Sequence, residues 1–340
     1  MSFSRLPCNQ NVERCYVTKY VRISGRFSAE VSVLTGSDTI GNYNTHSTAK
    51  ITIEKYGTYK SYEVPVITGN SLKHWHSVYL AKVYESLGGS KLNEFCRKGI
   101  GMRGYTEDST LNNPKPADSE KEAIEDLCND IHGFLIPDKQ IKRDSLVKFS
   151  FGIPVLREDV LEYVSRFSVT HNRVSPIKSK KDTENSTEEE EGKSQMMIFK
   201  QEYSTSPLYG FSISMDLEYV MKPIYEPPKD KLDEKEVEMR KKATILALLY
   251  IFNGVGSKQA RALPISEVKE LLVAVSEKPI PNLVHGAYPD YVEKSVDVMN
   301  SYRKLIGDDS LKIYGYKIQC VGDIVCMDSL TNIFEKITAR

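Results

Sequence analysis

Alternating hydrophobic and polar positions near the start of the chain predict a long strand. From Tyr20, the run VRISGRFSAEVSVL places most apolar residues out of phase with polar neighbours, as a half-buried strand requires. The segment KITIEKYGTYKSYEVPVI then alternates on both sides of Gly57 and predicts a β-hairpin. Residues 36–49, which are rich in polar residues, Gly and Asn, indicate a loop between these strands.

A strand, a turn and a helix follow the hairpin. The apolar run 64–67 predicts a buried strand, and residues 68–71 are small and polar, as helix caps are. An apolar stripe of 3.6-residue period follows, formed by Leu72, Trp75, His76, Tyr79, Leu80 and Val83. The other face carries Lys73 and His74. Because a cation in the first turn opposes the helix dipole, a bound anion such as phosphate explains Lys73 better than helix stability does.

The remaining pattern predicts a mixed fold with an inserted helical region. Residues 88–144 read as helical but broken, with EKEAIEDLCNDIHGFL the strongest helical pattern. Strand character returns at 146–156, 163–177, 195–203, 208–220, 264–276 and 312–325, and residues 234–252 predict a strong helix. This order suggests an α+β, ferredoxin-like core with large insertions.

The net charge of zero conceals a segregation of charge. Residues 182–192 contain six acidic and no basic residues, and without them 46 basic and 40 acidic residues remain, a net charge of +6. This acidic segment has too few apolar residues to predict regular structure, and it would form the tip of a hairpin made by 163–177 and 195–203. Both a basic binding surface and scattered surface charge fit this composition.

Composition also narrows the class of protein. No apolar run approaches the ~20 residues of a membrane span, and the polar N-terminal residues do not resemble a secretory signal. Six cysteines occur without a CxxC pair, which favours free thiols in a reducing compartment over a metal site. We therefore expect a cytoplasmic protein with no metal, no cofactor and no membrane partner.

Five clusters of basic, amide-bearing and imidazole side chains interrupt the apolar pattern. They are Asn42, Asn44 and His46; Lys73 and His74; Lys139, Lys142, Arg143 and Lys148; His171, Asn172 and Arg173; and Lys258 and Arg261. Together these residue types suit contacts to the phosphates, sugars and base edges of RNA. Each cluster alone is equally compatible with an ordinary solvated loop or strand face, and His76, inside the apolar stripe, is predicted to be a core residue.

No spacing matches a Ser-His-Asp triad, a Cys-His pair, a zincin or a two-metal carboxylate site. The competing hypothesis is a metal-independent endoribonuclease that uses His46 or His171 as general acid or base. A third hypothesis is a small-ligand or phosphoprotein-binding module, which would not retain RNA.

Nine short motifs, in consistent order from Tyr20 to about residue 300, carry a family resemblance. They are VRISGRF, GNYNTH, VPVITGNSLKHWH, DIHGF, KRDSLVK, THNRV, QEYSTSPLYGFSI, ARALP and PIPNLVHG. In this order they resemble the archaeal DevR-type Cas-seven family. Its members are CRISPR RNA-binding backbone subunits of type I surveillance complexes (Cascade), and the motifs are most similar to the I-A branch.

The resemblance implies a modified RNA-recognition-motif palm with inserted helical fingers and a β-hairpin thumb. The implied palm comprises 20–76, 146–169 and 204–340, the fingers 77–145 and the thumb 170–203, with 1–19 as an N-terminal extension. Family members stack head-to-tail along the CRISPR RNA, so the implied partners are that RNA, target DNA through the guide, further copies of the chain and other Cascade subunits, in antiviral defence.

The resemblance also implies which residues contact the RNA. These are Asn42, His46, Lys73, His74, Lys142, Arg143, His171, Asn172, Arg173, Lys258 and Arg261. Related type III subunits cut RNA with a loop aspartate, and Asp38 occupies the comparable loop, but the type I pattern implies a protein that is not an enzyme. The acidic segment 182–192 is expected to point away from RNA because it would repel phosphate.

Overall fold

The fold is described from a computed structural model over residues 18–32, 34–40, 43–174, 196–228, 231–254 and 267–338. The strands are β1 (Tyr20–Ser32), β2 (Gly36–Ile40), β3 (Tyr43–His46), β4 (Thr48–Lys55), β5 (Thr58–Pro65), β6 (Phe134–Ile136), β7 (Ile141–Arg143), β8 (Val147–Phe149), β9 (Ile153–Pro154), β10 (Ser165–Val174), β11 (Met196–Asp216), β12 (Glu267–Ser276), β13 (Lys312–Tyr316) and β14 (Ile324–Met327). The helices are α1 (Gly69–Ser86), α2 (Glu94–Arg97), α3 (Glu120–Ala123), α4 (Leu127–His132), α5 (Glu158–Leu161), α6 (Glu234–Phe252), α7 (Tyr291–Ile306) and α8 (Leu330–Thr338).

A ten-stranded sheet organises these elements in the order β14-β13-β12-β1-β11-β3-β2. β1 pairs antiparallel with both β11 and β12 and so lies at the centre. β11 is long enough to pair with β8, β9 and β10 as well. Two separate two-stranded sheets, β4-β5 and β6-β7, complete the strand pairing.

The two faces of the central strands are covered differently. On one face, apolar residues of β1, β11 and β12 join residues of α1, α6 and α8 in the main core, with Ile23, Leu80 and Leu248 all at most 1% exposed. On the other face, a smaller core forms between β12, β13 and α7 around Leu272, Ile313 and Met299. The result is a sheet between helical layers, which matches the α+β class.

Polar side chains of β1 hold a strap, residues 280–290, across the second face. Arg22 Nε donates to the Ile280 carbonyl at 3.2 Å, and Ser24 Oγ donates to the Val284 carbonyl at 2.7 Å. Arg26 Nε donates to the Gly286 carbonyl at 2.8 Å. Residues 280–286 of the strap are the last seven residues of the motif PIPNLVHG, so in this fold the motif has a structural role.

Several predicted elements are confirmed. β1, the β4–β5 hairpin with its turn at Tyr56 and Gly57, and α6 lie where the pattern placed them. The helix after Thr68 is also present, with Thr68 as its N-cap. These elements are governed by local periodicity and turn chemistry, which act over a few residues.

Other predictions are wrong. The predicted loop 36–49 contains β2 and β3, and the two strands expected at 195–203 and 208–220 are one strand, β11. The strongest helical pattern in the inserted region divides into α3 and α4. The pattern did not predict α7 or α8.

The palm, fingers and thumb remain a prediction, because only the α+β class is established. The expected boundary between 76 and 77 falls inside α1, and the one between 169 and 170 falls inside β10. Within the described ranges, no helix is long and apolar enough to cross a membrane.

The expectation of free thiols is wrong for four cysteines. Cys96 and Cys128 form a disulfide that joins α2 to α4, and Cys320 and Cys326 form a second one. The first pair is 32 residues apart in sequence, so only the fold brings the thiols together. Cys8 and Cys15 lie outside the described residues.

The Gly286→Ala substitution should destabilise the protein. A Cβ at this position would lie 2.1 Å from the Gly25 carbonyl oxygen, so the strap or β1 must shift. We expect the free energy of unfolding, measured by chemical denaturation, to fall by about 1–3 kcal/mol, as for other overpacked sites. Gly101→Ala is the control, because a Cβ there meets nothing within 4 Å. Equal stability of the two variants would contradict the close approach.

Replacing both Cys96 and Cys128 with Ser should also destabilise the fold. Removing a cross-link across 32 residues increases the entropy of the unfolded chain and should lower the unfolding free energy by roughly 3 kcal/mol. Denaturation with and without a reductant checks this prediction. The reductant should affect the wild-type protein more than the double variant, and an identical effect on both would argue against this disulfide.

Candidate nucleic-acid interface

Short polar contacts define where α1 begins. The Thr68 side chain accepts a hydrogen bond from the Ser71 N–H at 3.3 Å, and the Thr35 hydroxyl accepts one from the Thr68 N–H at 3.0 Å. Gly69 lies so close to the end of β8 that a Cβ would be 2.3 Å from the Phe149 carbonyl oxygen. The first turn contains no acidic residue, so the positive end of the helix dipole is not neutralised there.

Lys73, one turn into α1, is half-buried. Burial, and then the charge of Arg103, lower the pKa of its ammonium group to about 8. Lys73 is also close enough to His76 to lower the pKa of that residue, so it does not project from an opposite, solvated face. Its environment is cationic and partly dry, which favours binding of an anion.

His74 and His76 have different environments. His74 is exposed, and its ring lies edge-on to Trp75 with the ring centroids 5.7 Å apart. His76 is fully buried, and burial lowers its pKa to about 4. The prediction of a core role for His76 is confirmed, and His74 has its side chain available at the surface.

The buried His76 is hydrogen-bonded on both sides of its ring. Its Nε2 lies 2.9 Å from the Thr244 carbonyl oxygen, and its Nδ1 lies 3.0 Å from His132 Nε2. Because a carbonyl only accepts, His76 Nε2 carries the proton and Nδ1 accepts from His132 Nε2–H. His132 Nδ1 is then an acceptor, and this buried atom has no hydrogen-bond partner.

A cleft of about 430 Å³ opens beside the start of α1. Its lining includes Lys73 from α1, Arg103 from the loop after α2, and His132 and Gly133 at the end of α4. Arg103 Nη1 donates to the His132 carbonyl oxygen at 3.4 Å. Among the described residues, neither Lys73 nor Arg103 forms an ion pair, although the charge of Asp126 acts on Arg103 and the exposed Asp144 lines the cleft.

Lys142 and Arg143, adjacent in sequence, are placed differently. Lys142 is exposed, with Nζ 4.6 Å from the centroid of the Tyr225 ring. The Arg143 side chain is 0% exposed and forms ion pairs with Glu120 at 2.8 Å and Asp130 at 2.7 Å. The expectation that Arg143 contacts RNA is therefore corrected: its guanidinium is enclosed by protein acceptors, so we leave Arg143 out of the surface.

His46 also lies in the interior, at 3% exposure. Its Nε2 accepts from the Leu34 N–H at 3.1 Å, and its Nδ1 is 2.6 Å from Ser204 Oγ. Burial lowers the pKa of His46, against the opposing charge of Glu202. The expected RNA contact, or surface acid–base role, of His46 is thus corrected to a structural one that joins β3 to β11.

The backbone of the predicted thumb base is a hairpin. In β10, His171, Asn172 and Arg173 pair with residues 199, 198 and 197 of β11. The strands are as predicted, but the side chains of these three residues are not described, and their RNA contacts remain a prediction. Asn42, Lys258, Arg261 and the acidic segment 182–192 lie outside the described residues.

Arg103 was not selected from the sequence, whereas His132 was noted there as part of His132-Gly133-Phe134, next to the basic segment 139–148. Arg103 lies in the Gly-rich GIGMRG, and His132 begins the HGF of DIHGF. The signal available was a cation between glycines, which permit close approach of a ligand to the backbone. Across the described ranges, no group of three or more His, Cys, Asp or Glu residues is arranged to hold a metal ion.

Solved structures of similar shape are distant. One, described as "CRISPR RNA-guided surveillance complex", covers 94% of this chain and 98% of its own, with a TM-score of 0.44 and 13% sequence identity.

Protein relatives are much closer. "CRISPR-associated protein Cas7/Cst2/DevR" of Thermoproteus tenax is 52% identical over 94% of this chain and 95% of its own length. A protein of the same description from Methanocaldococcus jannaschii is 33% identical over 94% of this chain and 100% of its own length. "CRISPR-associated aCascade subunit Cas7/Csa2 2" of Saccharolobus solfataricus is 26% identical over 86% of this chain and 91% of its own length. The model of the family "CRISPR-associated negative auto-regulator DevR/Csa2" matches residues 23–296, and the chain therefore belongs to this DevR/Csa2 family of Cas7-type CRISPR-associated proteins.

Proposed function

We propose that this chain is a non-catalytic RNA-binding backbone subunit of a CRISPR surveillance complex. Copies of it bind side by side along the CRISPR RNA, with other Cascade subunits, and present the guide for pairing with target DNA. In this arrangement the protein holds the RNA backbone, while base pairing by the guide reads the target sequence. The description of one relative as an aCascade subunit supports this assignment.

The observation that carries the proposal is the pair of cations in the cleft at the start of α1. Lys73 and Arg103 repel each other, and neither forms an ion pair among the described residues, although the charge of Asp126 partly offsets that of Arg103. Retaining two desolvated like charges destabilises the free protein, and a phosphate removes that cost. His74 and Lys142 add an exposed imidazole and an exposed cation.

The proposed palm, fingers and thumb each correspond to a set of elements in the fold. β1, β11, β12 and the helices on them serve as the palm, the inserted region with α2 to α4 as the fingers, and the β10–β11 hairpin as the thumb. His171, Asn172 and Arg173 of the hairpin, with Asn42, Lys258 and Arg261, are the proposed further RNA contacts.

The endoribonuclease hypothesis loses one of its two candidate residues. His46 is enclosed and hydrogen-bonded within the protein, so it does not reach a substrate without local unfolding. His171 is then the residue on which a test of RNA cleavage must focus.

The purified protein should bind unstructured RNA with an affinity that falls as salt increases. Each phosphate contact contributes about −0.7 to the slope of log affinity against log salt for a single strand. We expect Lys73→Gln to weaken binding and to make this slope shallower by about that amount. Fluorescence anisotropy across a salt series measures both quantities.

In the same samples the RNA should stay intact in the presence of a chelator, as judged by denaturing gel. Cleavage that disappears in His171→Ala would overturn the non-catalytic assignment. A wild-type protein without measurable RNA affinity at low salt would overturn RNA binding itself.

RNA affinity should also fall as the pH rises above about 8. Burial and Arg103 lower the pKa of Lys73 to about 8 in the free protein, whereas a bound phosphate raises it. Protonation of Lys73 is therefore coupled to RNA binding. Each unit by which the bound phosphate raises the pKa of Lys73 changes the RNA affinity by up to about tenfold across the pH series. The other ionisable groups in the cleft are Arg103, the buried His132 and Arg143, and the exposed Asp144.

Lys73→Arg is the matched variant for this pH series. Arginine remains charged throughout, so its affinity should be nearly constant between pH 7.5 and 9.5 while the wild-type affinity declines. Parallel pH profiles for the two proteins would show that Lys73 does not bind the phosphate.

A further inference from the structure

Helix α7 has an exposed apolar row beside the face that packs on the sheet. Leu305 is 82% exposed and Val298 43%, and the half-buried Tyr302 lies between them at helical spacing. These side chains form part of an open groove of about 360 Å³, called the α7 groove below. Its lining is Asp297, Val298, Ser301, Tyr302 and Leu305. Apolar side chains grouped in this way, rather than scattered singly, indicate a surface that another segment covers.

The α7 groove is too small for a stable contact between two folded copies of the chain. Among the described residues, its lining comes from α7 alone, and the row from Val298 to Leu305 extends about 10 Å along the helix axis. A stable interface between folded proteins takes about 20–30 residues and about 800 Å² from each partner. A short stretch of polypeptide fits the α7 groove better.

The N-terminal residues join the fold at the C-terminal end of α7. Lys19 N donates to the Ser276 carbonyl oxygen at 3.2 Å, and Ser276 Oγ donates to Asp308 Oδ2 at 2.6 Å. Asp308 N donates in turn to the carbonyl oxygen of Arg303, in the last turn of α7, at 3.1 Å. Residues 1–17, which lie outside the described ranges, are therefore attached next to the end of the helix that carries the groove.

The N-terminal residues are also long enough to reach the α7 groove. The side chain of Tyr20 belongs to the small core that contains Met299 of α7, so the chain enters on the face of the sheet that α7 covers. Leu6 precedes Thr18 by 12 positions, and a chain of that length spans up to about 40 Å when extended. The first seven residues can therefore lie along the groove.

The composition of these first residues complements the groove. The sequence MSFSRLP supplies two large apolar side chains, Phe3 and Leu6, with the cation Arg5 between them. The groove offers an apolar row with the exposed carboxylate of Asp297 at its edge. Apolar side chains thus meet apolar surface, and the positive charge meets a negative one.

We propose that residues 1–7 dock on α7 of the same chain, with Phe3 and Leu6 in the α7 groove and Arg5 beside Asp297. Both parts of this contact lie outside residues 23–296, which the family model matches, so the family pattern assigns neither of them. The N-terminal extension then has a defined role: it covers an apolar surface of its own subunit.

Photo-cross-linking of the full-length protein tests this contact. Leu305→p-benzoylphenylalanine places a photoreactive group at the α7 groove, and peptide mass spectrometry identifies the residues that it joins. We expect the joined peptides to contain residues 1–7. The control is Leu135→p-benzoylphenylalanine, because Leu135 is 63% exposed on β6, in the inserted region, and this variant should not join residues 1–7.

A mixture of isotope-labelled and unlabelled protein shows whether the joined residues belong to one chain. Cross-links from Leu305 to residues 1–7 of the same chain support the proposal. Cross-links that join labelled to unlabelled chains would make a second copy the occupant and overturn it. Cross-links from Leu305 that never include residues 1–7 would overturn it as well.

Limited trypsin digestion measures how firmly the groove holds the segment. Cleavage after Arg5 requires that residues 1–7 leave the groove, so its rate follows the undocked fraction. In Val298→Ser/Leu305→Ser this cleavage should be about tenfold faster, because apolar contacts are lost. Both side chains are exposed in the described structure, so the melting temperature should be unchanged.

Leu135→Ser is the matched control for the digestion and should leave the cleavage rate after Arg5 unchanged. Equal rates in the wild-type protein and in Val298→Ser/Leu305→Ser would contradict docking on α7.

Discussion

A buried network of charges centred on Asp130 holds the inserted helices against the central sheet and its helices. Asp130 Oδ1 pairs with Arg143 at 2.7 Å, and Oδ2 pairs with Arg240 of α6 at 2.9 Å. Arg143 also binds Glu120, and Arg240 binds Glu236 at 2.6 Å. Removing one partner from such a network leaves an uncompensated buried charge, which typically costs 3–5 kcal/mol.

The position of the cleft depends on this network. Arg240 also donates to the Ile124 and Glu125 carbonyls, between α3 and α4, and Arg143 Nε donates to the Asp130 carbonyl inside α4. The end of α4, which carries His132, is thereby held beside α1 and Lys73. Charges enclosed in the network hold this segment in place, whereas Lys73 and Arg103 form no ion pair among the described residues.

The central strand contributes the second constraint. Its side chains at Val21, Ile23, Phe27 and Ala29 enter the main core. Arg22, Ser24 and Arg26 hold the strap 280–290 on the other face. β11 beside it stays continuous through Pro207, although proline has no backbone N–H. The register with β1 shifts between Phe27 and Ala29 at that point, and such an irregularity is where a strand tolerates proline.

The amino-acid sequence by itself determined the elements whose signals are local. The alternation of β1, the Tyr56-Gly57 turn, the Thr68 cap and the helical period of α6 were all predicted, because neighbours within a few residues decide them. Family membership was likewise predicted, since it rests on ordered motifs. The same local signals predicted that Lys73 and His74 lie at a helix start suited to binding an anion.

Only the tertiary structure decided which charged and polar groups are buried. Arg143 and Arg103 both lie in polar segments, yet carboxylates enclose the first, whereas the second forms no ion pair among the described residues. The burial of His46 and the Cys96–Cys128 pairing were decided in the same way, by partners far away in sequence. Burial and pairing depend on contacts between remote segments, and the cost of desolvating a charge is set by those contacts, which residue spacing along the chain does not contain.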